Sequence, residues 1–396
     1  MKLIRIVVFV FVASIPWLSV AQKPVWVSFN HITTGDEQTS VYFPMLRHKN
    51  VAVVANQSSV IGSTHLVDTL VASGIHVVRI FSPEHGFRGK AEAGEQIQNG
   101  KDTKTGIPIV SLYGKHRKPT AEDLKGVDVV LFDLQDVGVR FYTYISTLTL
   151  VMDACTEQHI PLIILDRPNP NAFYIDGPVL QKKYTSFVGM HPIPVIYGMT
   201  IGEYARMVNG EGWLKDGKSC ILTVVRLKNY KHNMVFQLPV KPSPNLPNWQ
   251  SVYLYPSLCF FEGTPVSVGR GTPIPFQVFG HPDLKGPFVF TPRVKPGTHI
   301  QPKLVDQRCY GDHLTRYAER FRHNKSELNL HWLIKAYKEL SAKKIPFFTG
   351  YFDLLAGNDQ LKKQIEEGKT EKQIRESWQK DLKTFEQIRK KYLLYH

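Results

Sequence analysis

Short apolar runs alternate with longer stretches of helical periodicity through the first half of the chain. Val51–Ala55 reads as a buried strand ending at Asn56-Gln57-Ser58, residues 65–73 as a helix stopped by Gly74, and residues 75–81 as the next strand. Strands over residues 107–113, 127–132 and 162–165 follow, with helices over 120–125 and 142–158 between them. In the second of these helices Ile145, Leu148, Met152 and Cys155 recur at helical spacing, which supplies a face to pack on a sheet. Strand and helix in alternation predict an α/β fold built on a mostly parallel, doubly wound sheet.

The texture changes after about residue 235. Half of the chain's 26 prolines fall between Pro239 and Pro302, a density that argues against long helices and for extended loops or edge strands. Helix then returns. Thr370-Glu-Lys-Gln373 matches a capping box, and Ile374, Trp378, Leu382, Phe385 and Tyr392 form an apolar stripe of the kind that fills a core.

The N-terminus follows a different rule. Lys2 and Arg5 precede an apolar segment from Ile6 to Val20, and Ser19-Val20-Ala21 places small residues where a signal peptidase reads. Residues 1–21 are therefore expected to be a signal peptide and the mature chain to start near Gln22, in a secreted or periplasmic setting. An uncleaved anchor is the alternative, but roughly fifteen apolar residues interrupted by Pro16 are short for a membrane-spanning helix. No cysteine follows the segment, which argues against lipid attachment. Cys155, Cys220, Cys259 and Cys309 are far apart and lack metal-type spacing; they are either disulfide partners or separately buried thiols. The formal net charge of +15, from 49 Lys and Arg against 34 Asp and Glu, suits an anionic polymer or surface, and export makes nucleic acid a poor partner. Part of the excess lies in residues 362–391, where a solvated helix face explains it equally well.

Candidate chemistry collects at the strand ends. The run to Phe81 continues as Ser-Pro-Glu84-His85-Gly-Phe-Arg88-Gly89, and the run to Phe132 as Asp133-Leu-Gln-Asp136-Val-Gly-Val-Arg140. In open α/β sheets the crevice beyond the carboxyl ends of the strands is where ligands bind. In the proline-rich part, Tyr255-Pro-Ser-Leu-Cys-Phe-Phe-Glu262-Gly-Thr-Pro-Val-Ser-Val-Gly-Arg270-Gly-Thr adds an aromatic approach to a third acid and a glycine-flanked arginine. The nucleophile elbow Gly-x-Ser-x-Gly, the phosphate loop and the His-Glu-x-x-His zinc helix are missing, and without a Gly-rich first turn no dinucleotide cofactor is expected. Carboxylates in an aromatic setting are the inventory of glycoside hydrolysis, where one acid protonates the leaving oxygen and apolar faces hold the sugar.

Each residue also has a structural reading. Glu84 can cap a helix N-terminus, His85 can hold its loop through a backbone carbonyl, Asp133 can cap a turn and Asp136 can pair with Arg140. A buried Glu262 needs a partner, and Arg270 is the obvious one. Asp166-Arg167-Pro-Asn-Pro170 reads as a turn whose charges pair locally. A metal-assisted hydrolase using Glu84, His85, Asp133 and Asp136 is a second enzymatic reading, thinly supported by one histidine, and an exported glycan-binding protein with a degenerate site is a third possibility.

At these motifs the chain resembles the exo-β-N-acetylmuramidase family, formerly a domain of unknown function. The resemblance rests on Ser82-Pro-Glu-His-Gly86, Phe132-Asp-Leu-Gln-Asp-Val-Gly-Val-Arg-Phe-Tyr-Thr-Tyr144, Leu165-Asp-Arg-Pro-Asn-Pro170, Tyr255 to Thr264 and Val268-Gly-Arg-Gly-Thr272, in that order, and runs from about residue 40 to the C-terminus. It implies a Rossmann-like N-terminal catalytic domain (residues 22–240), a smaller α+β C-terminal domain (241–396) and an active cleft where they join. It further implies release of N-acetylmuramic acid from the non-reducing ends of peptidoglycan fragments; separately, one adjacent histidine and no thiolate at ligand spacing predict that no metal or other cofactor is required. Glu84 matches the motif glutamate and takes the acid/base role; Asp136 and Glu262 join it as catalytic candidates. Asn56, His85, Arg88, Asp133, Arg140 and Arg270 are the substrate-binding candidates, since the lactyl carboxylate of the sugar calls for an arginine.

Overall fold

The computed structural model describes residues 24–88, 99–295, 301–319 and 327–395; the expected signal peptide lies outside them, as does Gly89. Among the described residues, ten of fourteen strands make up the two larger sheets: β1 (Val51–Ala55), β2 (Val77–Ser82), β3 (Gly100–Lys101), β4 (Pro108–Ser111), β5 (Val129–Asp133), β6 (Leu162–Leu165), β7 (Leu222–Val225), β8 (Val278–His281), β9 (Phe288–Phe290) and β10 (Cys309–His313). The first seven form one sheet in the order β7-β6-β5-β1-β2-β4-β3, parallel throughout except where β3 runs against β4 at the edge.

Both faces of this sheet are buried because alternate residues belong to different cores. Val51, Val53, Ala55, Val129, Leu131, Ile163 and Leu165 pack with Leu66, Val67 and Leu70 of α1 (Leu66–Ala72). Ala52, Val54, Val130, Phe132, Leu162 and Ile164 face α2 (Tyr144–Glu157) and α3 (Ile201–Gly210). A period-two strand with two apolar faces reads as a continuous apolar run, which is why these strands stand out in the sequence. The expected helix at 120–125 is instead a series of turns: Thr120 and Asp123 bond each other's amides, and Gly126 at φ 74 ends the coil after a single turn.

The proline-rich region departs further from expectation. It holds a helix, α4 (Trp249–Leu258), begun by a reciprocal Asn248–Ser251 capping box and continued through Pro256. Pro256 lacks the amide that would bond the Val252 carbonyl, and Asn171 Nδ2 donates to that carbonyl from 3.4 Å instead. Beyond it β8, β9 and β10 form an antiparallel sheet in the order β8-β10-β9. Helices α5 (His331–Ala342), α6 (Gly350–Ala356), α7 (Gln360–Glu366), α8 (Glu371–Ser377) and α9 (Gln379–Lys390) complete a smaller C-terminal part. The capping box at Thr370 and Gln373 is present, and the stripe from Ile374 to Tyr392 spans two helices that break at Trp378, whose indole N–H donates to Asp176. The core on the α2 and α3 side runs on without interruption into Val252, Phe260, Phe352 and Leu382, so the C-terminal part seals one face of the sheet. The four cysteines are separate buried thiols. Among the described residues no helix is long and apolar enough to cross a membrane.

Candidate active site

Glu84 lies two residues past the end of β2, after Pro83. His85 and Gly86 both adopt left-handed backbone, at φ 73 and 79, and the Gly86 amide donates to the Pro83 carbonyl at 3.1 Å, so the chain reverses around the glutamate. The far side of the turn is anchored. Phe87 packs edge-on against His65 at 4.6 Å, and Arg88 donates from Nε and Nη2 to Asp102 at 2.9 Å and reaches Asp68 at 3.2 Å. Burial raises the Asp102 carboxyl, but the Arg88 and Thr105 hydrogen bonds outweigh it and hold the pKa down at about 2. Arg88, expected to bind substrate, is thus committed to two carboxylates and clamps the loop that presents Glu84.

Glu84 and His85 open onto a small, partly open cleft whose enclosed volume is about 60 Å³. Thr143 donates its hydroxyl to Glu84 Oε2 at 3.3 Å. One wall is a chain of rings meeting edge-on: Tyr144 against Tyr142 at 4.8 Å, Tyr142 against Tyr255 at 6.0 Å and Tyr255 against Phe276 at 5.0 Å. Burial raises the hydroxyl pKa of Tyr142 and Tyr144, keeping them protonated. The lining also takes in the proline-flanked segment with Ser243 and Asn245, held by the Tyr142 hydroxyl, which donates to the Pro242 carbonyl at 2.7 Å, and by Gln57, which donates to the same oxygen at 3.1 Å. Ser243, Asn245, Tyr142, Thr143 and Tyr144 were not singled out as site residues in the sequence. The polar pair between closely spaced prolines was the available signal, since proline restricts the backbone that delivers them.

The second strand end is closed. Asp133, the last residue of β5, is fully buried and receives Arg167 Nε at 2.5 Å and Nη2 at 2.9 Å; Arg167 Nη2 also bonds Asp36 at 2.8 Å. Arg167 therefore pairs across the fold rather than with neighbouring Asp166, and the two carboxylates keep its guanidinium charged despite burial. Asn56 is buried beside this knot, donating Nδ2 to the Tyr144 hydroxyl at 2.7 Å and accepting from the Ser58 amide. Asp136 lies beneath the aromatic wall, bonded through Oδ2 to the Tyr197 hydroxyl and the Gly138 amide, with Oδ1 unpartnered among the described residues. Burial pushes its pKa up to about 7. Arg140 does not pair with it: wholly buried, it donates to the carbonyls of Pro178, Ile193, Leu355 and Ala356, tying the loop after β5 to α6. Asn56, Asp133, Asp136 and Arg140 therefore stand outside the cleft lining, as does Arg88. Among the described residues no three His, Cys, Asp or Glu side chains converge as a metal-binding group.

Glu262 and Arg270 do meet, with Arg270 Nε 3.3 Å from Glu262 Oε1. Arg270 lines the cleft and Glu262 stands behind it. The site thus brings together Glu84, His85 and Arg270 from two expected motifs.

Residues 51–250 match the family described as exo-β-N-acetylmuramidase NamZ, N-terminal, and residues 253–395 its C-terminal counterpart. The chain is 40% identical over 374 residues to the peptidoglycan β-N-acetylmuramidase NamZ of Bacillus subtilis (strain 168), with 89% of each covered. Two crystal structures of DUF1343 family proteins from Bacteroides fragilis NCTC 9343 resemble it, one at TM-score 0.85 and 46% identity and one at 0.79 and 31%, each covering 92% of this chain and 99% of that one. The chain belongs to the exo-β-N-acetylmuramidase NamZ family.

Proposed function

We propose that this chain is an exo-acting glycoside hydrolase that releases N-acetylmuramic acid from the non-reducing ends of peptidoglycan fragments. The observation that carries the reading is Glu84, a carboxyl group presented by a clamped turn into an aromatic-walled cleft. Glu84 donates its proton to the glycosidic oxygen as the bond to the anomeric carbon lengthens, and Thr143 orients the carboxyl from Oε2. The tyrosine rings offer apolar faces to the sugar while their hydroxyls remain protonated donors. A divalent ion on Glu84 would hold that carboxylate ionised and remove the proton it must donate, so activity is expected to persist in a chelator.

The sheet is assigned a Rossmann-like form, because its parallel strands counted in chain order lie 3-2-1-4-5-6. The division at residue 240 into a catalytic domain and a smaller partner is supported by the small antiparallel sheet and helices that follow it. Export to the periplasm or beyond is supported by the charge, apolar run and small residues of positions 1–21. The test is incubation with a muramyl-terminated glycan of defined length: the terminal sugar alone should be freed, leaving a chain shorter by one unit. Internal fragments, or no cleavage, would overturn the reading.

A further inference from the structure

Three arginines were available in the sequence to hold an anionic group, and their hydrogen bonds separate them. Arg88 is spent on Asp102 and Asp68, and Arg140 on four carbonyls. Arg270 is the remaining one and the sole Lys or Arg among the described residues lining the cleft that holds Glu84.

Everything around Arg270 fixes it in place. Gly269 and Gly271 flank it at φ 78 and 79, where an added Cβ would stand 2.4 Å from the Val278 side chain and 2.3 Å from the Arg293 carbonyl. Phe276 lies under the guanidinium, 5.0 Å from ring centroid to Cζ. That ring is held by backbone at φ 54, an outlying conformation for a bulky residue, secured by the Phe276 amide donating to the Val268 carbonyl at 2.8 Å. Glu262 occupies the Nε edge, while Nη1 and Nη2 make no hydrogen bond to the described residues. A planar fork tied back at Nε, on a residue that lines the cleft, has N–H groups left to bind a carboxylate through two parallel hydrogen bonds.

Resting on the muramidase reading, we propose that Arg270 binds the lactyl carboxylate of the terminal sugar and sets the preference for muramyl over glucosaminyl ends. Glu262 is then a positioning residue rather than a catalytic one: it orients the guanidinium and touches no reacting atom. Glu262 holds the Nε edge of the fork, and the substrate carboxylate takes the remaining N–H groups. The arrangement recognises an ether-linked propionate carboxylate on the sugar ring, a group that N-acetylglucosamine lacks.

The experiment is the ratio of kcat/KM for muramyl and glucosaminyl glycosides bearing the same leaving group. The wild type should favour the muramyl sugar by on the order of ten- to hundredfold, the worth of one charge-assisted pair. Arg270→Lys keeps the charge but loses the fork, and should bring the ratio close to one. Glu262→Gln should raise KM for the muramyl sugar more than it lowers kcat, and it tests the proposal independently of how Arg270→Lys folds. An unchanged ratio in Arg270→Lys, or equal loss on both sugars in Glu262→Gln, would overturn the proposal while leaving the muramidase reading intact. A wild-type ratio near one with terminal sugar still released would do the same, whereas failure to release any terminal sugar would remove both.

Discussion

Two strand ends of the same sheet, β2 and β5, both finish in acids followed by a glycine-containing turn, yet one opens to solvent and the other is sealed. After β2, Glu84 faces a cleft and its loop is bolted from behind by Arg88. After β5, Asp133 is locked to Arg167, Asp136 hides under the tyrosine wall, and Arg140 grips carbonyls of the C-terminal part. β5 lies next to β1, where the strand order reverses and an open sheet ordinarily binds its ligand. Here that crevice is filled by Asn56, Ser59, Asp133 and Arg167, and the cleft is displaced toward β2 and the proline-flanked segment. Identical residue chemistry at neighbouring strand ends can thus serve catalysis or cohesion, depending on what packs above it.

The largest expected effect divides the two ends by activity. Glu84→Gln should lower kcat by on the order of 10² to 10⁴ while leaving the thermal midpoint within a degree or two of wild type. With an aryl glycoside whose leaving group needs little protonation the loss should shrink, and equal loss on both substrates would remove Glu84 from the acid role. Next comes the sealed end: Arg167→Met strands Asp133 and Asp36 as buried unpaired carboxylates, at a cost of about 3–5 kcal/mol. A urea midpoint unchanged from wild type would refute the cohesive role.

The smallest effect is one of pH. The Asp136 carboxyl titrates near 7 in the folded chain because it is buried, and near 3.8 when unfolded. Between those values the folded state binds the extra proton, so this group's stabilising contribution is complete below the lower value and declines as pH rises through the upper one. Asp136→Asn needs no proton, and its melting temperature should fall less steeply between about pH 4 and 7 than that of wild type. Parallel slopes in the two proteins would show that Asp136 is already ionised across this range.

Much of this comparison was legible in the sequence. Strands β1, β5 and β6 announced themselves because both their faces are buried, and Glu84 was marked by a strand end and the turn residues around it. The pairing of Glu262 with Arg270 followed from two phenylalanines that left an acid in need of a partner. What misled was local pairing. Asp136 with Arg140 and Asp166 with Arg167 were natural neighbours in sequence, but each side chain reaches a partner brought to it by the fold: Tyr197, the Leu355 carbonyl, Tyr395 and Asp133.

The amino-acid order alone therefore determined the alternation of elements, the loading of strand ends with acids and the glycine-flanked arginine, because these depend on side-chain period and backbone freedom within a few residues. Only the tertiary structure decided which acid meets solvent, which arginine keeps a free edge, and that serine and asparagine from a segment far along the chain close the cleft. The reason is that burial and hydrogen-bond satisfaction are properties of surfaces brought together from distant parts of the chain. A buried charge takes whichever partner lies in reach, and that partner is set by packing rather than by separation in sequence.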